Sequence, residues 1–180
     1  MGMNPPLALA IRDNLGIDTF IETGTWRANT SVWAAQNFKE VRTLEGMPGR
    51  FYKSWSAYHA QYPNIMFQLG DSKTLLAQHM GCLQVPALFW LDAHYCTSNE
   101  EEAGAGIVKC PVMHELLAIN SHKLAHLHAI MVDDARLFGV ESGWPRPDVL
   151  LSELGKFGRN VALYEDVYYG LPQGCGVTIP

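Results

Sequence analysis

The chain has 180 residues, of which 48% are apolar and 17% charged, with 18 acidic against 13 basic side chains. That length predicts one domain, residues 1–180, with a core of useful size and no disordered tail. An acidic balance without a Lys/Arg run argues against nucleic-acid binding, and the lack of eighteen unbroken apolar residues argues against a membrane span.

In chain order, apolar segments of two periods alternate. Leu7–Leu15 reads as a leading helix, Thr19–Glu22 as a first strand, Thr30–Asn37 as a helix and Val41–Glu45 as a second strand. Residues Pro48–Tyr62 carry Phe51, Tyr52, Trp55 and Tyr58 at spacings that share a helical face, which predicts a helix packing its aromatics against a sheet. Asn64–Leu69 reads as a third strand, Lys73–Met80 as a helix, and Ala87–Asp92 as a continuous apolar run suited to a central parallel strand. Residues 93–110 form a long loop, of the kind that acts as a lid or moves. Pro111 opens a helix to Ile119, Ala129–Val132 is a fifth strand, Asp148–Phe157 a helix and Val161–Tyr169 a sixth strand. Val177–Ile179 is expected to return antiparallel across a turn at 170–176. The pattern predicts an α/β fold: a Rossmann-like, doubly wound, mostly parallel sheet with right-handed crossovers and a C-terminal antiparallel hairpin.

The stretch Asp18–Ser31, DTFIETGTWRANTS, passes from strand through a glycine turn to a helix start. This is where an open α/β sheet holds a nucleotide-like cofactor. Gly24 lets the backbone approach a ligand, and the helix start offers free N–H groups. Glu22 at the strand tip would repel a pyrophosphate, and the later glycines of the dinucleotide fingerprint are missing. A cofactor bearing ammonium and hydroxyl groups fits better, and S-adenosylmethionine is one.

Acids close the strands in succession: Glu22, Glu45, Asp71, Asp92, then Asp133 with Asp134. One acid after a strand is explained as a helix N-cap. A series of them converges on the crevice at the carboxyl ends of the sheet. Clustered carboxylates raise one another's pKa unless cations or hydroxyl donors compensate, which a divalent metal and a cationic, hydroxyl-rich cofactor would do.

The ordered segments ETGTWRANTS, TLEG, LGDS, FWLDAHY and IMVDDAR resemble the class I S-adenosylmethionine-dependent methyltransferases, and are most similar to the cation-dependent, catechol-type O-methyltransferases. The likeness spans Thr19 to Arg136. It implies that Gly24 turns under the cofactor, with Glu22 beside its methionine part. It further implies that Thr30 bonds the methionine amino or carboxylate group, Glu45 the ribose hydroxyls, and Asp71 and Ser72 the adenine. Glu45 is chemically apt, because an ionised carboxylate accepts two neighbouring O–H donors. Asp92, Asp133 and Asp134 are implied as ligands of a divalent cation, Mg²⁺ by preference for carboxylate oxygen, with Asp92 also bordering the cofactor.

The chemistry so implied is direct methyl transfer to a metal-bound hydroxyl of a small molecule or sugar. Where such enzymes carry a lysine as base, this chain has Tyr95. His94 precedes it and has a pKa range suited to proton transfer, so His94 is the candidate base or extra ligand and Tyr95 its neighbour. Alternatively, His94 simply bonds the Asp133–Asp134 turn. Trp26 and Arg27 could wall the methionine pocket, and Arg136 could pair with the acids. Phe138, Trp144 and Tyr95 suggest a flat or sugar-like acceptor.

Other readings stay open. His94, Cys96, Cys110 and His114 have the residue types of a zinc site but unusual spacings. His122 and His126 lack the carboxylate of an H-E-x-x-H pattern and read as surface or helix-end histidines. A nicotinamide-dependent oxidoreductase could use the same crevice and Glu45. A non-catalytic methyltransferase-like binding module is the third possibility. The four cysteines do not make a disulfide framework, and Met1–Leu9 lacks the charged start and apolar core of a leader. A cytoplasmic protein is therefore expected, with a homodimer as the prior for its assembly.

Overall fold

The computed structural model describes residues 2–94 and 109–180. Helix α1 (Pro5–Leu15) begins where the Asn4 side chain accepts the N–H of Leu7, and it ends at Gly16 in the left-handed region. There follow β1 (Thr19–Thr23), α2 (Asn29–Ala35), β2 (Glu40–Glu45), α3 (Pro48–Tyr58), β3 (Ile65–Leu69), α4 (Ser72–Cys82) and β4 (Ala87–Leu91). After the second described segment begins come α5 (Val112–Asn120), β5 (Ala129–Val132), α6 (Pro147–Leu154), β6 (Asn160–Tyr164) and β7 (Val167–Leu171). Among the described residues no helix is long and apolar enough to cross a membrane.

The strands form one sheet in the order β3-β2-β1-β4-β5-β7-β6. Neighbours from β3 through β5 are parallel, and β7 runs antiparallel to both β5 and β6. This is the doubly wound sheet with a closing hairpin that the β-α alternation predicts. Strands β1, β4 and β5 are buried along their whole length. Their alternate side chains serve two cores, as the period of two requires. Ile21, Leu44, Phe89 and Ile130 pack with Leu76, Leu116 and Leu150 from α4, α5 and α6. Phe20, Val41, Leu88, Trp90 and Met131 pack with Ile11 and Ala34 from α1 and α2.

Two expectations are corrected. The run Val161–Tyr169 is a hairpin rather than one strand: Glu165 and Asp166 take φ of 48° and 71°, and these two left-handed residues match the twist of the flanking strands. Val177–Ile179 consequently adds no strand, although Val177 and Ile179 pack against the second core. The aromatics of α3 are also less buried than their spacing suggests. Ser54 is the buried residue of that helix, while Tyr52 is 59% and Trp55 40% exposed. The helix lies over β3 and β2 at the sheet edge, where there is little surface to cover, and its rings pair with one another instead: Trp55 stacks on His59 and Phe51 meets Tyr52 edge-on.

A histidine relay holds the start of β4. The Ala87 N–H donates to His128 Nδ1 at 3.1 Å, His128 Nε2 lies 2.7 Å from His122 Nδ1, and His122 Nε2 lies 3.0 Å from the Leu83 carbonyl. With Nδ1 of His128 an acceptor, both rings must be neutral and carry their proton on Nε2. Burial above all, with the nearby Arg159 charge adding to it, pushes His128 down to about 3. The unfolded chain binds this proton near pH 6.5 and the folded chain does not, so stability is lost as pH falls below about 6.5. A His128→Asn variant will therefore be less stable at pH 7, yet will lose less further stability between pH 7 and 5 than the unaltered chain. Urea unfolding midpoints at the two pH values measure both effects.

Candidate active site

The turn after β1 is the centre of the site. The Gly24 N–H donates to the Leu44 carbonyl at 2.9 Å, which fastens the turn to β2. On its other side, a Cβ at position 24 would lie 2.4 Å from the Asp92 carbonyl oxygen. Gly24 also has φ +89°, so both sterics and backbone conformation demand glycine. Trp26 and Ala28, both left-handed, swing the chain into α2. Trp26 is exposed, and the Arg27 guanidinium stands 4.6 Å over its ring.

Beneath the turn lies Glu22, 2% exposed. It accepts from Thr43 Oγ1 at 2.8 Å and from Ser31 Oγ, and Thr43 in turn meets Thr25 Oγ1 at 2.6 Å. Thr30 in the first turn of α2 also favours its ionised form. Burial outweighs these donors, and with the nearby Asp92 charge it pushes Glu22 up to about 8. Burial thus favours the protonated form of this carboxyl near neutral pH.

Glu45 at the end of β2 is turned toward the same loop. Its Oε2 accepts the Trp26 N–H at 2.8 Å and its Oε1 the Met47 N–H at 2.9 Å. Each oxygen keeps a further acceptor site. Asp71, the acid after β3, caps α4 by accepting the Lys73 N–H at 2.9 Å, and Ser72 is buried at the first position of that helix.

The remaining acids gather past β4 and β5. His94 stands between two of them: Nδ1 is 3.2 Å from Asp92 and Nε2 is 3.0 Å from Asp134. Arg136 reaches Asp134 at 2.6 Å and also contacts Asp166. Two sets of oxygen or nitrogen donors result, Asp92–His94–Asp134 and Asp133–Asp134–Asp166, each with its atoms within 4.8 Å of one another. The three expected metal ligands are thus split between two sets that share Asp134. The protein's own cations already stand among them. Burial lowers the pKa of His94, but its two carboxylate partners outweigh that and lift it to about 10. Burial likewise disfavours the charged form of Asp134, yet His94 and Arg136 hold it below the usual carboxylate range. Asp133, whose Oδ1 accepts the Asp134 N–H at 2.8 Å, is pushed up to about 7 by burial and by Asp92.

With both ring nitrogens turned to carboxylates, His94 is a donor on each side, and in this arrangement it has no lone pair to take a proton. It does bond Asp134 directly, as the alternative role for it supposed. The rings of Trp144 and Phe138 are brought beside it, with centroids 5.5 Å apart for His94–Trp144 and 5.0 Å for Phe138–Trp144. Tyr95 and Cys96 lie outside the described residues, as does most of the loop 93–110. Cys110 is buried and pushed up to about 12 by that burial, which keeps its thiol protonated. Among the described residues it joins no metal-binding group, and neither does His114.

Two residues near the site were not read from the sequence. Asp166 belongs to the hairpin turn that the single-strand reading concealed. Glu115 follows His114 in an otherwise apolar helix, and as an acid in a first turn it carries a sufficient local explanation. The structure instead buries it to 1% exposure, near Thr23 and Ser72.

Gly24→Ala will destabilise the chain by ~2 kcal/mol or more, because the new methyl meets the backbone of Asp92, which its N–H bond to the Thr23 carbonyl holds just past β4. Gly49→Ala, where nothing lies within 4 Å of the added carbon, is the control, expected to change stability little. Denaturant unfolding of the two variants decides.

No protein-family model matches the sequence, and a comparison with curated proteins finds no match. Solved structures do match in shape. Human methyltransferase-like protein 13 in complex with S-adenosylhomocysteine superposes with a TM-score of 0.59 at 13% identity, over 95% of this chain and 77% of that one. An O-methyltransferase from Streptomyces achromogenes involved in tomaymycin synthesis, in complex with S-adenosylmethionine, gives 0.54 at 15%, over 93% and 78%. An rRNA methylase from Streptococcus thermophilus gives 0.53 at 13%, over 94% of each chain. Sheet order, closing hairpin and these neighbours agree: the chain has the fold of the class I S-adenosylmethionine-dependent methyltransferases.

Proposed function

We propose that the protein is an S-adenosylmethionine-dependent methyltransferase whose acceptor is a hydroxyl oxygen of a small molecule or sugar. The observation that carries this reading is the Gly24 turn, pressed on the Asp92 carbonyl, in a sheet whose first five strands each carry an acid at or just past the carboxyl end. Methyl donors of this kind combine a sulfonium and an ammonium with ribose hydroxyls, and such a rim suits both features. Glu45 would take the ribose hydroxyls with its remaining acceptor sites while its two backbone bonds keep it in place. Thr30 and the start of α2 would meet the methionine carboxylate, and Asp71 with Ser72 the adenine edge. The neutral Glu22 would fix the turn from below without adding charge.

In the reaction, the S–C bond would break as an O–C bond forms, S-adenosylhomocysteine would leave, and the hydroxyl proton would pass to water. Opposite charges merge as sulfonium meets oxyanion, so a site poor in water favours the step. Phe138 and Trp144 supply an apolar wall beside His94, where a flat acceptor or the face of a sugar would rest. His94 and Arg136 would keep Asp92 and Asp134 charged and oriented. The donor atoms also fit a divalent cation: the Asp133–Asp134–Asp166 set is all oxygen, as Mg²⁺ prefers, and the set with His94 suits a metal that also takes nitrogen. A bound cation would lower the pKa of an acceptor hydroxyl, and it would have to displace Arg136 or His94 from the shared carboxylate Asp134.

Calorimetric titration of S-adenosylhomocysteine, with and without Mg²⁺, tests the reading. Micromolar binding is expected, weakened about tenfold or more in Glu45→Ala by loss of two charge-assisted hydrogen bonds. A separate Mg²⁺ titration should disappear in Asp92→Ala, a change that leaves the backbone contact with Gly24 intact. Folded protein that binds neither ligand would sink the proposal and return attention to nicotinamide cofactors or a protein partner.

A further inference from the structure

The turn after β5 and the β6–β7 hairpin are fastened to each other near the backbone. The Ala135 N–H donates to the Asp166 carbonyl at 2.8 Å, and the Arg136 N–H donates to Asp166 Oδ1 at 2.7 Å. Asp166 is thereby held beside Asp134 without help from the Arg136 side chain. The guanidinium is added from outside. Its Nη1 lies 2.6 Å from Asp134 Oδ1 and also contacts Asp166 Oδ2, while the side chain as a whole is 55% exposed. One nitrogen therefore serves two carboxylates that belong to two different elements. Arginine ordinarily engages an acid with two parallel N–H groups, and that planar fork is what sets it apart from a point charge. Here it is used as a point charge, in the place that a single ion bridging Asp134 and Asp166 would take.

We propose that Arg136 is a tethered competitor for the divalent cation: it holds the position between Asp134 and Asp166, and a metal ion enters only as the guanidinium turns out to solvent. The inference rests on the reading of these acids as able to hold such a cation. Of His94 and Arg136, the two groups on Asp134, Arg136 is the one that yields. The His94 side chain is 21% exposed and engaged at both nitrogens, on Asp92 and on Asp134 Oδ2, so it has little freedom to leave. Arg136 has a long, largely solvated stem, and an ion pair exposed in this way adds little net stability, so its release costs little. When it leaves, the two N–H bonds to Asp166 keep that residue in place, and the oxygens remain set for an ion that prefers carboxylate ligands. The observed affinity for the cation is then the intrinsic affinity reduced by the fraction of time that Arg136 is turned away. Arg136 in this way sets the cation concentration at which the site fills.

Calorimetric titration of Mg²⁺ into the unaltered chain and into Arg136→Gln, each first shown to be folded by circular dichroism, reads the competition. Arg136→Gln should bind Mg²⁺ about tenfold or more tightly, because the competitor is gone. Arg146→Gln makes the same change in net charge at an arginine paired with Asp148, and should stay within about threefold of the unaltered chain. Adding Asp166→Asn to Arg136→Gln should cancel most of the gain, because it removes one of the two negative charges that the arginine had covered. Equal affinity in Arg136→Gln and the unaltered chain overturns the proposal. So does an equal gain from Arg146→Gln, which would mark a diffuse effect of charge, or a gain that survives Asp166→Asn. Mg²⁺ binding by neither chain overturns it too, and S-adenosylhomocysteine titrated into the same samples then shows separately whether the methyltransferase reading stands. If Arg136→Gln does not fold, phenylglyoxal modification of the unaltered chain, mapped by mass spectrometry, decides. Mg²⁺ should raise the yield at Arg136, and an unchanged or lowered yield overturns the proposal.

Discussion

At position 24 the backbone of one loop lies against the carbonyl of Asp92 with no room for a side chain between them. That contact, together with the bond from the Gly24 N–H to Leu44, fixes the ends of β1, β2 and β4 relative to one another. Everything in the candidate site takes its place from there. Glu22 is sealed below the turn, Glu45 is drawn to the Trp26 N–H beside it, and Asp92 is presented at the rim. A parallel sheet makes this possible, because all of its strands deliver their next residues to the same edge.

Gathering so many acids at one edge creates a charge problem, which the chain meets in several different ways. Glu22 is buried deeply enough to stay neutral. Asp71 spends its charge on the start of α4, where helix N–H groups and the helix dipole welcome it. Glu45 accepts two backbone N–H groups. Asp92 and Asp134 share the imidazole of His94, and Asp134 and Asp166 share the guanidinium of Arg136.

The sheet edges leave several large apolar side chains in solvent, while Phe20, Phe89, Trp90 and Tyr169 fill the centre. Strand β3 is an edge strand, with Met66 and Leu69 exposed, and α3 beyond it leaves Tyr52 and Trp55 in solvent. At the other edge, β6 pairs among the described residues only with β7. The two cores are instead built by the central strands, whose alternate residues face α1 and α2 on one side and α4, α5 and α6 on the other.

Periodicity and the positions of acids and glycines determined much by themselves. The β-α alternation, the central strand at Ala87–Leu91, the glycine turn after β1 and the acids after the first five strands can all be read from local pattern, because each depends on a residue and its near neighbours in the chain. Tertiary structure decided what such patterns leave open. The aromatic spacing of α3 specifies a helical face but not whether a sheet lies opposite it. Two left-handed residues at Glu165 and Asp166, without a glycine, turn one apparent strand into two. His94 has the composition of a base, and only the placement of Asp92 and Asp134 on its two nitrogens makes it a cation. Glu115, unremarkable in a first helical turn, is 1% exposed once the fold has closed around it. Burial and charge are properties of the assembled surroundings, and a sequence fixes those surroundings only through the fold.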